Sequence, residues 1–307
     1  MNPRYFSTLL LTLLLSACGG EATPQSATSV ADRARPLIIT SNYPLYFFAK
    51  EIAGDSADVV FPSMEGDPAN WKPGPDAIAQ MQSADRVILN GAAYETWLDW
   101  VSLPDGILLD TSRGISGRLI PLEQEAIHQH GPQGEHSHQG FAFTTWLDPT
   151  LAMEQAGAIE QAISELVPAN QEAHQARLAG LRARLADLDE SLRTAFAAVE
   201  NQALIFSHPV YQYLAARYRL NGISLHWEPG EEPGTKAWID FREILRSHPA
   251  KWMIWEDSPG EVTADQLEQL GVLPIPFHTA SNRPDSGDYF DIMNANIDRM
   301  RFPAAGD

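Results

Sequence analysis

The sequence predicts an α/β protein of two (β/α)4-like lobes, each built on a mostly parallel sheet, joined by a long rigid α-helix. Three observations carry that prediction. The chain has 307 residues, beyond the usual single-domain range of about 100–200, so two units are the default. Short β-rich runs alternate with helical patterns in two separate series, which argues for parallel sheets covered on both faces. Between the series, Leu178, Leu181, Leu185, Leu188, Leu192 and Phe196 recur at spacings of three and four within an uninterrupted stretch from Asn170 to Val199, the signature of one long amphipathic helix.

In chain order, the first segment lies outside the fold. Arg4 precedes a short apolar run, Phe6 to Leu15, which ends in Leu15-Ser16-Ala17-Cys18-Gly19. The run is too short to span a bilayer, which takes about 20 apolar residues, and reads as a secretory signal. The small residues around Cys18, the only cysteine, resemble the cleavage site of bacterial lipoproteins. Residues 1–17 are therefore expected to be removed, Cys18 to be acylated, and 18–36, rich in Ser, Thr, Ala and Gln, to form a flexible tether. With no second thiol, the exported protein is expected to use no disulfide.

The first lobe is expected over 37–168. Its strands are Leu37–Thr40, Ala57–Pro62, Arg86–Asn90 and Ile107–Leu109, with helical segments at Tyr46–Ala53, Asp76–Ser83 and Tyr94–Trp100. The connecting helix occupies 169–200; a dimeric coiled coil is the lesser reading, because α/β segments flank it and only some three heptads are available. The second lobe, 201–307, has strands at Ala203–Ser207, Gly222–His226, Trp252–Trp255 and Val272–Phe277. Its helices are Val210–Tyr218, Trp238–Ser247, Ala264–Leu270 and Tyr289–Met300.

Composition narrows the function classes. With 21 Lys+Arg against 40 Asp+Glu, net charge −19, the chain lacks the cationic footprint that nucleic acid requires, and an acidic chain on average attracts cations. There is no His-Glu-x-x-His helix, no Gly-x-Ser-x-Gly elbow and no phosphate-cradling glycine loop, so an enzyme is not expected.

Collinear motifs then point to a family. They include Ser41-Asn42-Tyr43-Pro44-Leu45-Tyr46, Asp67-Pro68 through Trp71-Lys72-Pro73, and Ala84 to Gly91 with Glu95 and Trp97. They continue with Trp146-Leu147-Asp148-Pro149, Ser207-His208, Arg217-Tyr218, Pro229-Gly230-Glu231-Glu232-Pro233, Gly287-Asp288-Tyr289 and Met293-Asn294-Ala295-Asn296. In this order over 37–301, the chain resembles the zinc/manganese-type metal-binding receptors of bacterial ABC importers. The resemblance implies one divalent ion held in the cleft between the lobes and delivered to a membrane permease, by a monomeric lipoprotein outside the cytoplasm. It usually also implies three histidines and a carboxylate as ligands. Zinc is expected before manganese, because the ligation is nitrogen-rich.

Carried over position by position, that ligand set is damaged. The first histidine position is Ala69 and the second is Thr144; the third matches as His208, and the fourth, usually acidic, falls near His278. A histidine-rich loop, 127–140, holds four of the nine histidines: His128, His130, His136 and His138. Either His136 or His138 supplies the missing first-lobe ligand, with Glu135 or Glu256 as an accessory carboxylate and His128 and His130 close by, or the loop is a solvated ion collector. A zinc buffer, or a receptor scaffold bound to another ligand, are the rival readings. Of the remaining histidines, His174 is expected to be solvated on the polar side of the long helix and His248 to be structural, while His226, at a strand end beside Trp227, is ambiguous, contact with the cleft being the lesser reading.

Overall fold

The computed structural model describes residues 34–300 apart from 65, 123–126, 131–133 and 138–139, with 127–130 and 134–137 described as backbone. The expected signal, Cys18 and the tether up to residue 33 lie outside the described residues; the last three tether positions are described and are held to the first lobe, Arg35 lying 2.6 Å from Asp58 and the Pro36 carbonyl accepting the Asp58 N–H at 2.8 Å.

The chain opens with strand β1 (Leu37–Thr40), helix α1 (Tyr43–Ala53), β2 (Asp58–Val60), α2 (Pro75–Gln82), β3 (Arg86–Leu89) and β4 (Leu108–Asp110). The four strands form a wholly parallel sheet in the order β2-β1-β3-β4. β1 reads LIIT, apolar at neighbouring positions and buried from Ile38 onward, as a strand covered on both faces must be. α1 starts where Asn42 accepts the Leu45 N–H at 3.0 Å, with Pro44 in its first turn. It stops at Gly54, whose φ of +57° favours glycine and whose missing Cβ leaves room for the Arg177 guanidinium.

A backbone hairpin, β5 (Ile127–His130) with β6 (Gly134–Ser137), follows. Its register sets His128 opposite His136 and Gln129 opposite Glu135. Then come α3 (Pro149–Leu166) and α4 (Gln171–Ala197), joined by a single 3-10 turn. The second sheet comprises β7 (Ala203–Phe206), β8 (Asn221–Ser224), β9 (Trp252–Trp255) and β10 (Leu273–Pro276). It is again parallel, in the order β10-β9-β7-β8. Helices α5 (Gln212–Tyr218), α6 (Thr235–Ser247), α7 (Glu261–Gln269) and α8 (Tyr289–Arg299) complete it. Counted within each lobe, both sheets have the strand order 2-1-3-4.

The leucine stripe of α4 is buried along its whole length, and the helix is about 40 Å long at 1.5 Å per residue. The spine is nevertheless a pair of helices. α3, which was not anticipated, packs along α4 with Leu151, Ala152, Ala156, Ile159 and Ile163 inward; its many alanines give a weak apolar signal. One contiguous apolar core runs through both lobes and the spine, from Ile38 and Trp146 through Leu188 to Phe206, Phe277 and Met293.

Two local expectations fail. Tyr94–Trp100 is not an α-helix but a 3-10 turn at Thr96–Asp99. Gly91, Ala92 and Ala93 all take positive φ, and the Glu95 carboxylate folds back to accept the N–H groups of Asn90 (2.6 Å) and Gly91 (3.1 Å). His174 is not solvated but 0% exposed, with Nε2 2.8 Å from Ser56 Oγ and Nδ1 3.0 Å from Ser164 Oγ. His248 is structural as expected, its Nε2 lying 2.9 Å from the Leu204 carbonyl.

Burial pushes the Glu95 carboxyl up to about 7 against the pull of Ser41 and of three backbone donors, those of Asn90, Gly91 and Glu95 itself. A raised folded-state pKa contributes stability that is complete below the ordinary carboxyl range and is lost as pH rises through about 7. Glu95→Gln is expected to remove up to about 3 kcal/mol of the stability drop between pH 5 and pH 8, at about 1.4 kcal/mol per pKa unit. Urea unfolding at the two pH values measures it. An unchanged drop would mean that Glu95 is ionised throughout.

Candidate metal-binding cleft

In parallel α/β sheets, ligands sit beyond the carboxyl ends of the strands, where the strand order reverses. A cleft of about 1010 Å³ lies there. All four strands of the second sheet feed it: His208 follows β7, Glu228 follows β8, Glu256 and Asp257 follow β9, and His278 follows β10. The first lobe contributes Gly66, Asp67, Ala69 and Asn70 beyond β2, together with Phe143.

The repeated topology explains why Glu256 is fixed. In the first lobe, Ser41 donates its N–H to the Ile88 carbonyl (3.1 Å), and its Oγ accepts the Asn90 N–H (3.2 Å). In the second, Ser207 donates to the Ile254 carbonyl, and its Oγ accepts the Glu256 N–H, both at 2.9 Å. Asn90 and Glu256 therefore occupy equivalent places at the tips of equivalent strands. At one of them the polar side chain is a carboxyl.

Each cleft histidine has an acidic neighbour. His208 Nδ1 lies 3.4 Å from Glu228 Oε1, and His278 Nδ1 lies 3.6 Å from Asp257 Oδ1. Carboxylates on one ring nitrogen orient the ring and leave the other for a metal. The His278 backbone is held at both ends by Asn296, which accepts its N–H at 2.9 Å and donates to its carbonyl at 2.8 Å. Burial lowers the affinity of the His278 ring for a proton, as does the Arg299 charge, with Asp257 opposing. The Glu256 carboxyl is pushed up to about 8, first by burial, then by the charges of Asp67 and Glu228, while Thr279 pulls it down. Asp67 and Glu256 line the cleft from opposite lobes, and a cation bound there would relieve the repulsion that raises the Glu256 carboxyl.

Of the residues singled out from sequence, His208, His278 and Glu256 share this cleft. His138, and the side chains of His128, His130, Glu135 and His136, lie outside the described residues. His226 is exposed and is not among the cleft residues. Ala69 is buried in the cleft wall, while the Thr144 hydroxyl donates to the Val210 carbonyl at 2.5 Å, bonding one lobe to the other. Asp67, Glu228 and Asp257 were not picked out as site residues. Their signal is position: Asp257 lies two, Glu228 four and Asp67 seven positions beyond the carboxyl end of a strand. Among the described residues, no group of three or more His, Cys, Asp or Glu side chains is gathered closely enough to hold a metal ion, and no helix is long and apolar enough to cross a membrane.

Comparison with known proteins fits this architecture. The sequence profile of the ZnuA family, zinc-uptake complex component A, periplasmic, matches residues 38–301. The high-affinity zinc uptake system protein ZnuA of Bacillus subtilis (strain 168) is 30% identical over 302 residues, covering 94% of this chain and 93% of its own. The zinc-binding lipoprotein AdcA of Streptococcus pneumoniae (strain ATCC BAA-255 / R6) is 24% identical over 304 residues, and the match spans 59% of AdcA. Among solved structures, the metal-dependent lipoprotein YcdH of Bacillus subtilis superposes with a TM-score of 0.71 at 25% identity, over 86% of this chain and 97% of its own. Zn(II)-bound AdcA from Streptococcus pneumoniae gives a TM-score of 0.71 at 21% identity, over 86% of this chain and 56% of its own, which shows a shared fold.

Proposed function

This chain belongs to the ZnuA family, the periplasmic component A of zinc-uptake complexes, and we propose from that premise that it captures a zinc ion outside the cytoplasm and delivers it to an ABC permease. The observation that carries the reading is the cleft itself, one side of which the exits of all four second-lobe strands line with His208, Glu228, Glu256 and His278, opposite Asp67. Imidazole nitrogen with a carboxylate suits Zn²⁺, and a carboxylate beside Nδ1 of each ring favours the orientation that leaves Nε2 for the ion; manganese is the lesser candidate. His208 and His278 are the proposed cleft ligands. Glu256 serves as the carboxylate, and the hairpin histidines, His136 or His138 first, make up the first-lobe share left vacant at Ala69 and Thr144. Glu135, His128 and His130 are accessory. Acylated Cys18 would hold a monomeric receptor at the membrane beside its permease.

Release requires a conformation with lower affinity, so the permease must favour an opened cleft. Capture requires deprotonated ligands, so binding is expected to release a proton and to strengthen as pH rises toward about 8, where Glu256 gives up its own. Calorimetric titration with zinc tests the assignment. One tight ion is expected, weakened when His128, His130, His136 and His138 are all changed to Ala. Several weak ions that all disappear with that variant would favour a zinc buffer carried by the hairpin.

A further inference from the structure

The segment that leaves β10 changes its allegiance within one residue. Up to His278 the chain is held by the second lobe, through the two Asn296 hydrogen bonds on α8. From Thr279 onward its backbone is held by the first. The Thr279 carbonyl accepts the Trp146 indole N–H at 2.7 Å, and the Ser281 carbonyl accepts the Tyr43 N–H at 3.0 Å. Asn282 Nδ2 donates to the Gly66 carbonyl at 2.8 Å and the Met64 carbonyl at 3.3 Å. The Arg283 guanidinium lies over the Tyr46 ring, 4.6 Å from its centre. Between these anchors Ala280 takes a φ of +59°, a conformation costly for a residue with a Cβ and kept only where the surroundings impose it. The Thr279 hydroxyl stays within the segment, donating to Ser281 Oγ at 3.3 Å.

The same residues wall the cleft. Thr279 to Ser286 line it on one side, and Gly66 and Asp67 line it opposite. Separation of the lobes must loosen α8 from the Trp146 carbonyl and the Phe47 and Phe48 rings, and must in addition either break the four first-lobe attachments of the segment or bend the chain where the anchors change, between His278 and Thr279. Bending there turns the backbone that carries His278. We infer that Thr279–Arg283 is a strap that moves with the first lobe, and that Asn282 is the positioning residue that fastens it across the cleft and sets how fast a bound ion leaves. The second half rests on the zinc-capture reading; the first half does not.

Asn282→Asp keeps the shape of the side chain but turns an oxygen toward the Gly66 and Met64 carbonyls, and Asn282→Ala removes the group. In both, zinc dissociation followed by chelator trapping is expected to quicken about 10-fold, the order expected for losing one or two hydrogen bonds, with association changed less than about twofold. In the metal-free protein, proton exchange at the Trp146 indole and the Tyr43 amide should quicken by a similar factor, while the amide of Val87 in β3 stays as slow as before. Unchanged indole and amide exchange in both variants would overturn the strap, whatever zinc does. Faster exchange with an unchanged zinc off-rate would overturn the role of Asn282 in release. Faster exchange in a protein whose wild type binds no zinc would uphold the strap and sink the capture reading instead.

Discussion

Substitution of His208 by alanine is expected to weaken zinc binding by about 100-fold or more, with the fold intact. The residue stands two positions beyond β7, an inner strand of the second sheet whose Leu204, Ile205 and Phe206 are all buried. Its backbone is therefore as well fixed as any in the cleft. Its side chain is 15% exposed, with Nδ1 directed to Glu228, which leaves Nε2 as the natural donor to a metal. Loss of a group that only orients a metal-binding ring costs about 10- to 100-fold in affinity, so loss of the donor itself should cost at least the upper figure. Competition against a chromophoric zinc chelator measures the change, and far-UV circular dichroism checks the fold. Affinity within threefold of the wild type would place the ion away from the cleft. Glu228→Gln is expected to fall between the two, because the ring keeps a partner that can accept a hydrogen bond.

Much of this architecture was legible in the sequence, because it rests on periodic patterns. The leucines of α4 repeat every three or four residues and are buried as that spacing demands, and β1, β7 and β9 announce themselves as short apolar runs. His208 was legible for a related reason: it follows a buried strand in an otherwise matching motif. His174 could have been read by following the same stripe one turn earlier, since it precedes Leu178 by four positions. A polar residue in line with a buried stripe needs internal partners, and Ser56 and Ser164 supply them. α3 was harder to read, because alanines at its packing positions carry little hydrophobic contrast. Asp67, Glu228 and Asp257 could not be picked out from spacing at all. They come together through strand order, which brings the ends of β2, β8 and β9 to one cleft although 190 positions separate the first from the last.

The second large effect concerns stability, at a place where first lobe, spine and second lobe meet. Asp189 projects from α4 toward α5 and is nearly buried, with a side chain 12% exposed. Arg217 of α5 binds both of its oxygens, the Tyr218 hydroxyl donates to Oδ1 at 2.9 Å, and Arg193 reaches Oδ2 at 2.7 Å. Arg217 also lies 3.8 Å from Asp148, the residue that caps α3 of the first lobe. Burial on its own would raise the Asp189 carboxyl; the hydrogen bonds from Arg217 and Tyr218 and the charges of Arg217 and Arg193 outweigh it, and the group ends below its ordinary range. Asp189→Ala would leave a guanidinium and a phenol facing a cavity. Removing one partner of a buried pair costs about 3–5 kcal/mol. The low end applies here, since Arg193 is half exposed and its share is screened. A depressed folded-state pKa contributes stability that is present above the unfolded value and is lost as pH falls through the folded one. The wild type should therefore lose this part of its stability below about pH 4, the ordinary aspartate range, while Asp189→Asn, already without the charge, should show a shallower acid limb. Asp187→Ala, two residues away on the exposed face of α4, is the control and should change stability by no more than about 0.5 kcal/mol. Urea unfolding of the three variants between pH 3 and pH 7 decides the matter. A loss at Asp189 no larger than at Asp187 would mean that the spine is joined to α5 by its apolar stripe alone.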